Sequence, residues 1–495
     1  MQKRSKAMIH RLISLPAALL YALCILVACT SPSYPSGIDN PSAITDIDRA
    51  VIEYIDQRLE EEYYWLDEVQ RRGGSFNRNV EWKRYLSSSL SMLKTNGDDG
   101  YVNSKGGRVL YSYIQDLGSS SRAGSQVNGF GIELHFTIVK VGEEALGFVV
   151  ENVYPDSPAA RGGVRRGDVI ISIDGKDITQ NNYQTLFNSI HLNKASSLQL
   201  LLHRQYAESE QERSHAVTLQ RGSYYATPIA YCDVIDVEGV DKRIGYLVYT
   251  SFDSGYNDEL EAALAELWAD GVDELILDLR SNGGGSVTSA TLLCSSILGP
   301  SYEGELLFEL RRNPNNKSDN RTTQCLVEAT EASLALERIT VICSNYSASA
   351  SEMVVVGLRG VDIPVTLIGC RTEGKNCGMD VTRRNIGSLY LEYAPITFMC
   401  YNAVGFGDYG EGLEPDVELR AENSFGVSDE YYPLPRCEWG DMSHDIGLAV
   451  AVASVTGKKI SQGAASRAEC DMTLSDSGVY MERPLCGARL YEDEK

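Results

Sequence analysis

Beyond residue 44 the apolar positions first fall at helical spacing. Val51, Ile55, Leu59, Tyr63 and Leu66 recur at steps of three or four, which predicts amphipathic helix between Ile44 and Arg72. A second helical stretch is expected over Tyr85–Leu93. Between 126 and 222 the pattern changes to short apolar runs broken by turn dipeptides, as in ELHFTIVKV and GFVVENVYPDSPAARGGVRRGDVIISIDGKDI, and this predicts a small β-rich module. From Arg243 apolar strands alternate with amphipathic helices. IGYLVYTSF reads as a strand, and NDELEAALAELWADG as a helix with Leu260, Leu264 and Leu267 on one face. DELILDLRSNGGG reads as a strand running into a glycine turn, and SVTSATLLCSSIL as a helix. RITVICSNYSASASE and IPVTLIGCRTEGK are strand-and-loop segments on either side of the helix SEMVVVGLRG. Such alternation predicts a layered α/β core with buried strands. No repeat of 20–50 residues interrupts it. The last stretch, from about 426, holds one apolar helix (HDIGLAVAVASVTG) and then loop-like sequence.

The start of the chain has a different grammar. Lys3, Arg4, Lys6 and Arg11 precede the uncharged run Leu12–Ala28, and Cys29 and a Pro/Ser-rich segment follow. Basic, then apolar, then small is the order of an export signal. Leu26-Val27-Ala28-Cys29 resembles a bacterial lipobox, which implies that Cys29 is lipidated and becomes the mature N-terminus. An uncleaved membrane anchor and a plain cleaved signal are the alternatives. Lipid or anchor gives a membrane-tethered protein facing away from the cytoplasm. Thr30, rather than Asp, after the cysteine resembles the signal for sorting to the outer membrane.

Composition narrows the function. With 43% hydrophobic and 23% charged residues the chain is ordinary globular material. Its net charge of −23 disfavours a phosphate-backbone partner, so no nucleic-acid binding is expected. There is no G-x-x-x-x-G-K-[ST] loop and no H-E-x-x-H helix. No C-x-x-C pair occurs among the twelve cysteines, and no metal or cofactor is implied. Cys294, Cys343 and Cys400 sit in apolar stretches and read as small buried hydrophobes. Cys437, Cys470 and Cys486 lie where a disulfide is more plausible.

Three segments stand out for their chemistry: Leu277-Asp278-Leu279-Arg280-Ser281-Asn282-Gly283-Gly284-Gly285, Ser347-Ala348-Ser349-Ala350-Ser351-Glu352 and Gly369-Cys370-Arg371-Thr372-Glu373-Gly374-Lys375. The second lies on a strand-to-helix turn, where a hydroxyl can be exposed and helix N-terminal N–H groups can meet developing negative charge. Helix capping, with Ser351 and Glu352 as the cap-like start, explains one serine and not three. A nucleophilic serine needs a base. Of the six histidines, His10 is in the signal, His135, His191, His203 and His215 fall in or beside the β-rich module, and only His444 lies beyond it. Lysine is the alternative, provided burial makes a neutral amine available near pH 7. Lys375 follows an apolar strand and a glycine turn.

Two resemblances bring these segments together. Gly129-Phe130-Gly131-Ile132, SPAARGGVRRGD and DVIISIDGK resemble the marks of a PDZ domain, in which the glycine loop receives a peptide carboxylate and the following strand pairs with the peptide. The three chemical segments, in that order after a helical start and a PDZ module, resemble the C-terminal processing (tail-specific) peptidases, serine enzymes with a Ser/Lys dyad. The resemblance spans roughly 45–420. It implies Ser349 as nucleophile, Lys375 as general base, and an oxyanion hole from the N–H of Ala350 and of Gly283 or Gly284. The sequence departs from that family where a Gln four residues past the lysine orients the amine: Met379 stands here, and Thr372 or a backbone carbonyl is the substitute to consider. Cys370 and Cys377 flank Lys375, and a bridge between them would pin the base loop.

The resemblance implies an α/β, ClpP/crotonase-like catalytic core with an inserted PDZ domain and a small helical N-terminal region. The expected organisation is a signal over 1–28, a linker over 29–43, the helical region over 44–125, the PDZ domain over 126–222, the peptidase domain over 223–425 and a tail over 426–495. The expected function is a membrane-tethered serine endopeptidase acting on exported proteins or peptides through their free C-termini. A catalytically inactive PDZ-containing binding lipoprotein is the alternative, supported by Met379 alone. A crotonase-type acyl-CoA enzyme is disfavoured by export, because CoA is cytoplasmic.

Overall fold

The computed structural model describes residues 44–93, 99–102, 108–118, 127–141, 145–191, 195–204, 206, 213–326, 333–419, 437–458, 474–480 and 488–492. The expected signal over 1–28 and Cys29 lie outside the described residues, as do Cys470 and Cys486.

The helical start forms three helices, Asp46–Glu62, Leu66–Arg72 and Trp82–Leu90. Thr45 caps the first: its hydroxyl accepts from the Asp48 N–H while Asp48 accepts from the Thr45 N–H. The periodic side chains Val51, Ile55, Leu59, Tyr63 and Leu66 are all buried. They share a core with Tyr85, Tyr111, Met379, Tyr393 and Ile396, so these helices pack on a sheet built largely from sequence three hundred residues further on. That sheet runs in the order Arg321–Gln324, Leu306–Arg312, Ile396–Asn402, Cys377–Ile386, Leu389–Ala394, Tyr113–Asp116. Ala488–Glu492 pairs in parallel with the strand Cys377–Ile386.

A largely parallel sheet runs Ile229–Ile235, Ile244–Tyr249, Glu274–Asp278, Ile339–Cys343, Val365–Gly369, Val417–Glu418. All its pairings are parallel except the first. Its inner strands are buried along their whole length and largely apolar, as expected of such a sheet. On one face the helices Asn257–Ala269, Val287–Leu298 and Ala350–Gly360 share a core with the sheet. Phe308, Phe398 and Cys400 come from the sheet under the N-terminal helices, the second sheet, and belong to the same core. The helix Ile446–Thr456 covers the other face through Leu448 and Val452 against Tyr246, Ile276 and Ile342.

The β-rich module is a sheet in the order Ser214–Gln220, Ser197–His203, Val169–Ile173, Ala145–Val153, Ile132–Val141. Phe130, Phe148, Val150, Ile170, Leu200 and Leu202 fill its core. The free edge of Ile132–Val141 is taken by the chain's own C-terminal segment: Leu474–Tyr480 pairs antiparallel with Thr137–Val141. That segment reads as loop-like in sequence and is a strand in the fold.

Candidate active site

The three chemical segments begin at the carboxyl ends of three adjacent parallel strands, Glu274–Asp278, Ile339–Cys343 and Val365–Gly369. In open α/β sheets the loops at these ends face one crevice, which is where such folds place ligands.

Ser349 is fully buried and stands one residue before the helix Ala350–Gly360. Its backbone lies at φ 57°, ψ −112°, a region that L-residues adopt at a cost of about 1–3 kcal/mol and that clusters at functional sites. The neighbouring serines are committed elsewhere. Ser347 Oγ donates to the Leu279 carbonyl at 2.8 Å, and Ser351 Oγ to the Asn282 carbonyl at 2.8 Å. Both tie the helix start to the glycine turn. The cap-like start expected at Ser351 is thus displaced by two residues: Ser349 occupies the N-cap and Glu352 the third helical position.

Glu352 is the hub that sequence reasoning treated only as part of a cap. It is 1% exposed and its carboxylate takes four donors. Oε2 accepts from the Ser349 N–H and from the Lys375 N–H, each at 2.8 Å, so the two backbone nitrogens lie no more than twice that distance apart. Oε1 accepts from the Gly374 N–H at 2.7 Å and the Thr372 hydroxyl at 2.5 Å. Burial pushes the Glu352 carboxyl up to about 7, while the bonds from Thr372, Ser349 and Gly374 pull the other way. An acid at the third position of a helix was legible in the sequence; its reach to the lysine loop was not.

Lys375 is 1% exposed, with its Nζ 4.1 Å from the centroid of the Tyr111 ring. Tyr111 comes from the N-terminal region and donates its hydroxyl to Glu373 Oε1 at 3.0 Å. Thr372, considered above as a substitute for the missing Gln, is engaged instead with Glu352 and with the Leu413 N–H. Met379 is buried in the strand Cys377–Ile386. Cys370 and Cys377 remain thiols. The Cys370 Sγ faces the Leu419 carbonyl whereas Cys377 lies in the core around Tyr111 and Met379, so no bridge pins the loop. Cys437 is also a thiol, and Cys294, Cys343 and Cys400 are buried.

The glycine turn is set by Asn282, which is fully buried. Its Nδ2 donates to the Tyr249 carbonyl and its Oδ1 accepts from the Gly284 N–H, both at 2.8 Å. That occupies the Gly284 N–H, whereas Gly283 follows Asn282 directly. Gly284 adopts φ +101°, and a Cβ there would stand 2.7 Å from the Ala348 carbonyl oxygen and 2.9 Å from the Ser349 Cβ. Only glycine lets the turn approach the serine this closely. Ser281, one residue upstream, donates to Glu151 Oε1 of the β-rich module at 2.5 Å. His444 is engaged by Asp441 at 2.6 Å and stacks on Tyr206 at 4.0 Å.

In the β-rich module, Gly129 ends the strand Val127–Gly129 and Ile132 begins the next. The Phe130 carbonyl accepts from Ala159 and the Gly131 carbonyl from Tyr154. Gly131 has φ +78°, and a Cβ there would overlap the Ser157 side chain at 2.2 Å. Phe130 is buried under the Arg221 guanidinium, 4.8 Å from its ring centroid.

Residues 243–419 match the peptidase family S41 profile, and residues 149–194 match that of the PDZ domain. This chain carries a family S41 peptidase domain and a PDZ domain. All three chemical segments fall inside the S41 match, and Tyr111 lies outside it. Among curated proteins, the chain is 20% identical over 346 residues to the "Probable CtpA-like serine protease" of Staphylococcus haemolyticus strain JCSC1435, covering 68% of this chain and 65% of that one. The protein of the same description from Staphylococcus aureus strain N315 is 24% identical over 267 residues, covering 53% and 48%. The chain thus spans about half to two thirds of the length of these relatives. Among solved structures, an S41 protease candidate from Bacteroides fragilis NCTC 9343 superimposes with a TM-score of 0.64 at 23% identity, over 82% of this chain and 97% of that one. That likeness supports the S41 fold. Among the described residues no group of three or more His, Cys, Asp or Glu side chains gathers as a metal site, and no helix is long and apolar enough to cross a membrane.

Proposed function

We propose that this protein is a serine endopeptidase in which Ser349 is the nucleophile and Lys375 the general base. The observation that carries this reading is the Glu352 clamp: one carboxylate oxygen holds the N–H of a buried, strained serine and the N–H of a buried lysine together. The Lys375 amine, in its neutral form, takes the proton from Ser349 Oγ as that oxygen attacks the substrate carbonyl carbon. The resulting ammonium gives the proton to the leaving amine, and the acyl-enzyme remains. A water molecule then attacks the ester with the same amine as base, releasing the acid and Ser349. The oxyanion is met by the N–H groups of Ala350, at the helix N-terminus, and of Gly283; Asn282 already occupies the Gly284 N–H.

In this reading the PDZ domain receives a substrate C-terminus through Gly129, Phe130, Gly131 and Ile132 and the strand that follows. Cys29 tethers the enzyme by lipid to the outer membrane, where it acts on exported proteins or peptides. The test is digestion of an unstructured protein by the purified chain without its signal. Wild type should cleave it and Ser349→Ala should not. A folded wild-type chain that leaves every substrate intact while still binding C-terminal peptides would favour the inactive binding protein.

A further inference from the structure

The sequence leaves one catalytic part without an owner. A lysine that shuttles a proton must have its amine held in one place, and the position that resembles the family's orienting Gln carries Met379, whose thioether is at best a weak acceptor. The structure places an aromatic face against that amine instead. Lys375 Nζ sits 4.1 Å from the centroid of the Tyr111 ring, within the range of a cation–π contact, and both residues are almost fully buried.

Tyr111 is itself held from both ends. Its hydroxyl donates to Glu373, two residues before Lys375, so the ring and the base loop are joined by a second contact. Beside it, Ser112 donates through both its N–H and its hydroxyl to Asp99, at 2.9 and 2.7 Å. Asp99 is fully buried and also accepts from Tyr63 at 2.7 Å, and Ser112 Oγ accepts from the Ile396 N–H at 2.9 Å. The backbone next to Tyr111 is therefore fixed to the N-terminal helices and to the second sheet. We propose that Tyr111 is the residue that positions the Lys375 amine, taking over the orienting role that a Gln would fill at position 379. The inference rests on the Ser349/Lys375 reading above. It gives the N-terminal region a part in turnover: the ring stabilises the ammonium formed when Lys375 accepts the serine proton.

The test is the pH profile of peptide hydrolysis by wild type, Tyr111→Phe and Tyr111→Leu, each checked by thermal melt. Tyr111→Phe keeps the ring and should lose no more than a few-fold in kcat. Tyr111→Leu removes it, and kcat on the alkaline plateau should fall by about tenfold or more with KM nearly unchanged. The ring favours the protonated amine, so its loss should also move the acid limb of kcat to lower pH, by about one unit. Glu352, Glu373, Cys377, Cys400 and Tyr409 also surround this space and are common to all variants, so the comparison reads the ring alone. Should Tyr111→Leu fail to fold, a series of fluorinated phenylalanines at position 111 drains the ring's negative face at nearly constant volume, and kcat should fall with each fluorine. A folded Tyr111→Leu, or a heavily fluorinated ring, with wild-type kcat and an unmoved acid limb would overturn the inference. So would a Tyr111→Phe as impaired as Tyr111→Leu, which would assign the effect to the hydroxyl. Lys375→Ala is run alongside. If it stays active, the Ser/Lys reading falls and this inference with it; if it is dead while the ring series is flat, only this inference falls.

Discussion

Glu352 is the residue on which the candidate site turns. Four donors converge on it, so Glu352→Ala would leave three buried N–H groups and one hydroxyl without their acceptor. At about 1–3 kcal/mol for each of these four buried groups left unsatisfied, that variant should lose on the order of 4 kcal/mol or more of stability. The same residue makes a pH prediction. Its carboxyl titrates at about 7 in the fold against 4.5 ordinarily, because burial penalises the charge. Between those values the folded chain holds a proton that the unfolded chain has lost. Stability from this group therefore falls as pH rises through that window, by an amount on the order of 3 kcal/mol. Thermal melts of wild type between about pH 4.5 and 8 should show this decline, and Glu352→Gln, which cannot titrate, should flatten it. Equal slopes in the two proteins would show that Glu352 does not carry the proton.

At the scale of elements, the glycine turn after Glu274–Asp278 and the start of the helix Ala350–Gly360 act as one unit, stitched by Ser347 and Ser351 and shaped by Asn282. Asn282→Ala removes the bonds to Tyr249 and Gly284, so the turn should shift and kcat fall about a hundredfold, the scale expected when a catalytic group moves by an ångström. Ser281→Ala removes one bond to Glu151 and should cost only about 0.5–1.5 kcal/mol of stability and a few-fold in rate. Peptide hydrolysis and melts of the two variants check this order; equal effects would contradict it. The strands and helices around these turns were legible because a parallel sheet covered on both faces demands apolar runs, and IGYLVY, the LIL of ELILD and ITVIC are largely such runs. Ser349 and Lys375 are singled out only by the resemblance of their segments to a known family; the residues alone offer three serines on a strand-to-helix turn and a lysine after a glycine turn. Tyr111 was not legible: one aromatic among 28 tyrosines carries no pattern, and its approach to Lys375 is fixed only when Ser112 and Asp99 meet the second sheet. Likewise, Leu474–Tyr480 has no strand signature of its own and becomes a strand because the edge of Ile132–Val141 offers unpaired backbone groups.

At the scale of the whole molecule, that last pairing bears on how peptides reach the PDZ domain. The chain's own strand occupies the Thr137–Val141 edge, so in the proposed reading an incoming C-terminus would have to displace it or pair only nearer Ile132. A peptide with a free apolar C-terminus should bind better than its amide by about ten- to a hundredfold. Ser475→Pro, which disrupts the pairing opposite Lys140, should tighten binding of the acid; titration calorimetry on the full chain reads both, and indifference to the proline would mean that the tail does not compete. The tether is tested separately: labelled fatty acid should be incorporated in cells and lost in Cys29→Ser, and labelling that persists in the variant would end the lipid proposal. In the proposed mechanism Ser349 is activated by a lysine and not by a histidine. Its most direct test is peptide hydrolysis by Lys375→Arg, Lys375→Ala and His444→Ala, each confirmed folded by thermal melt. Arginine keeps the charge but offers no neutral amine near pH 7, so Lys375→Arg should be as inactive as Lys375→Ala while His444→Ala keeps most of its rate. A folded Lys375→Ala with near wild-type turnover, or an inactive His444→Ala, would contradict the account.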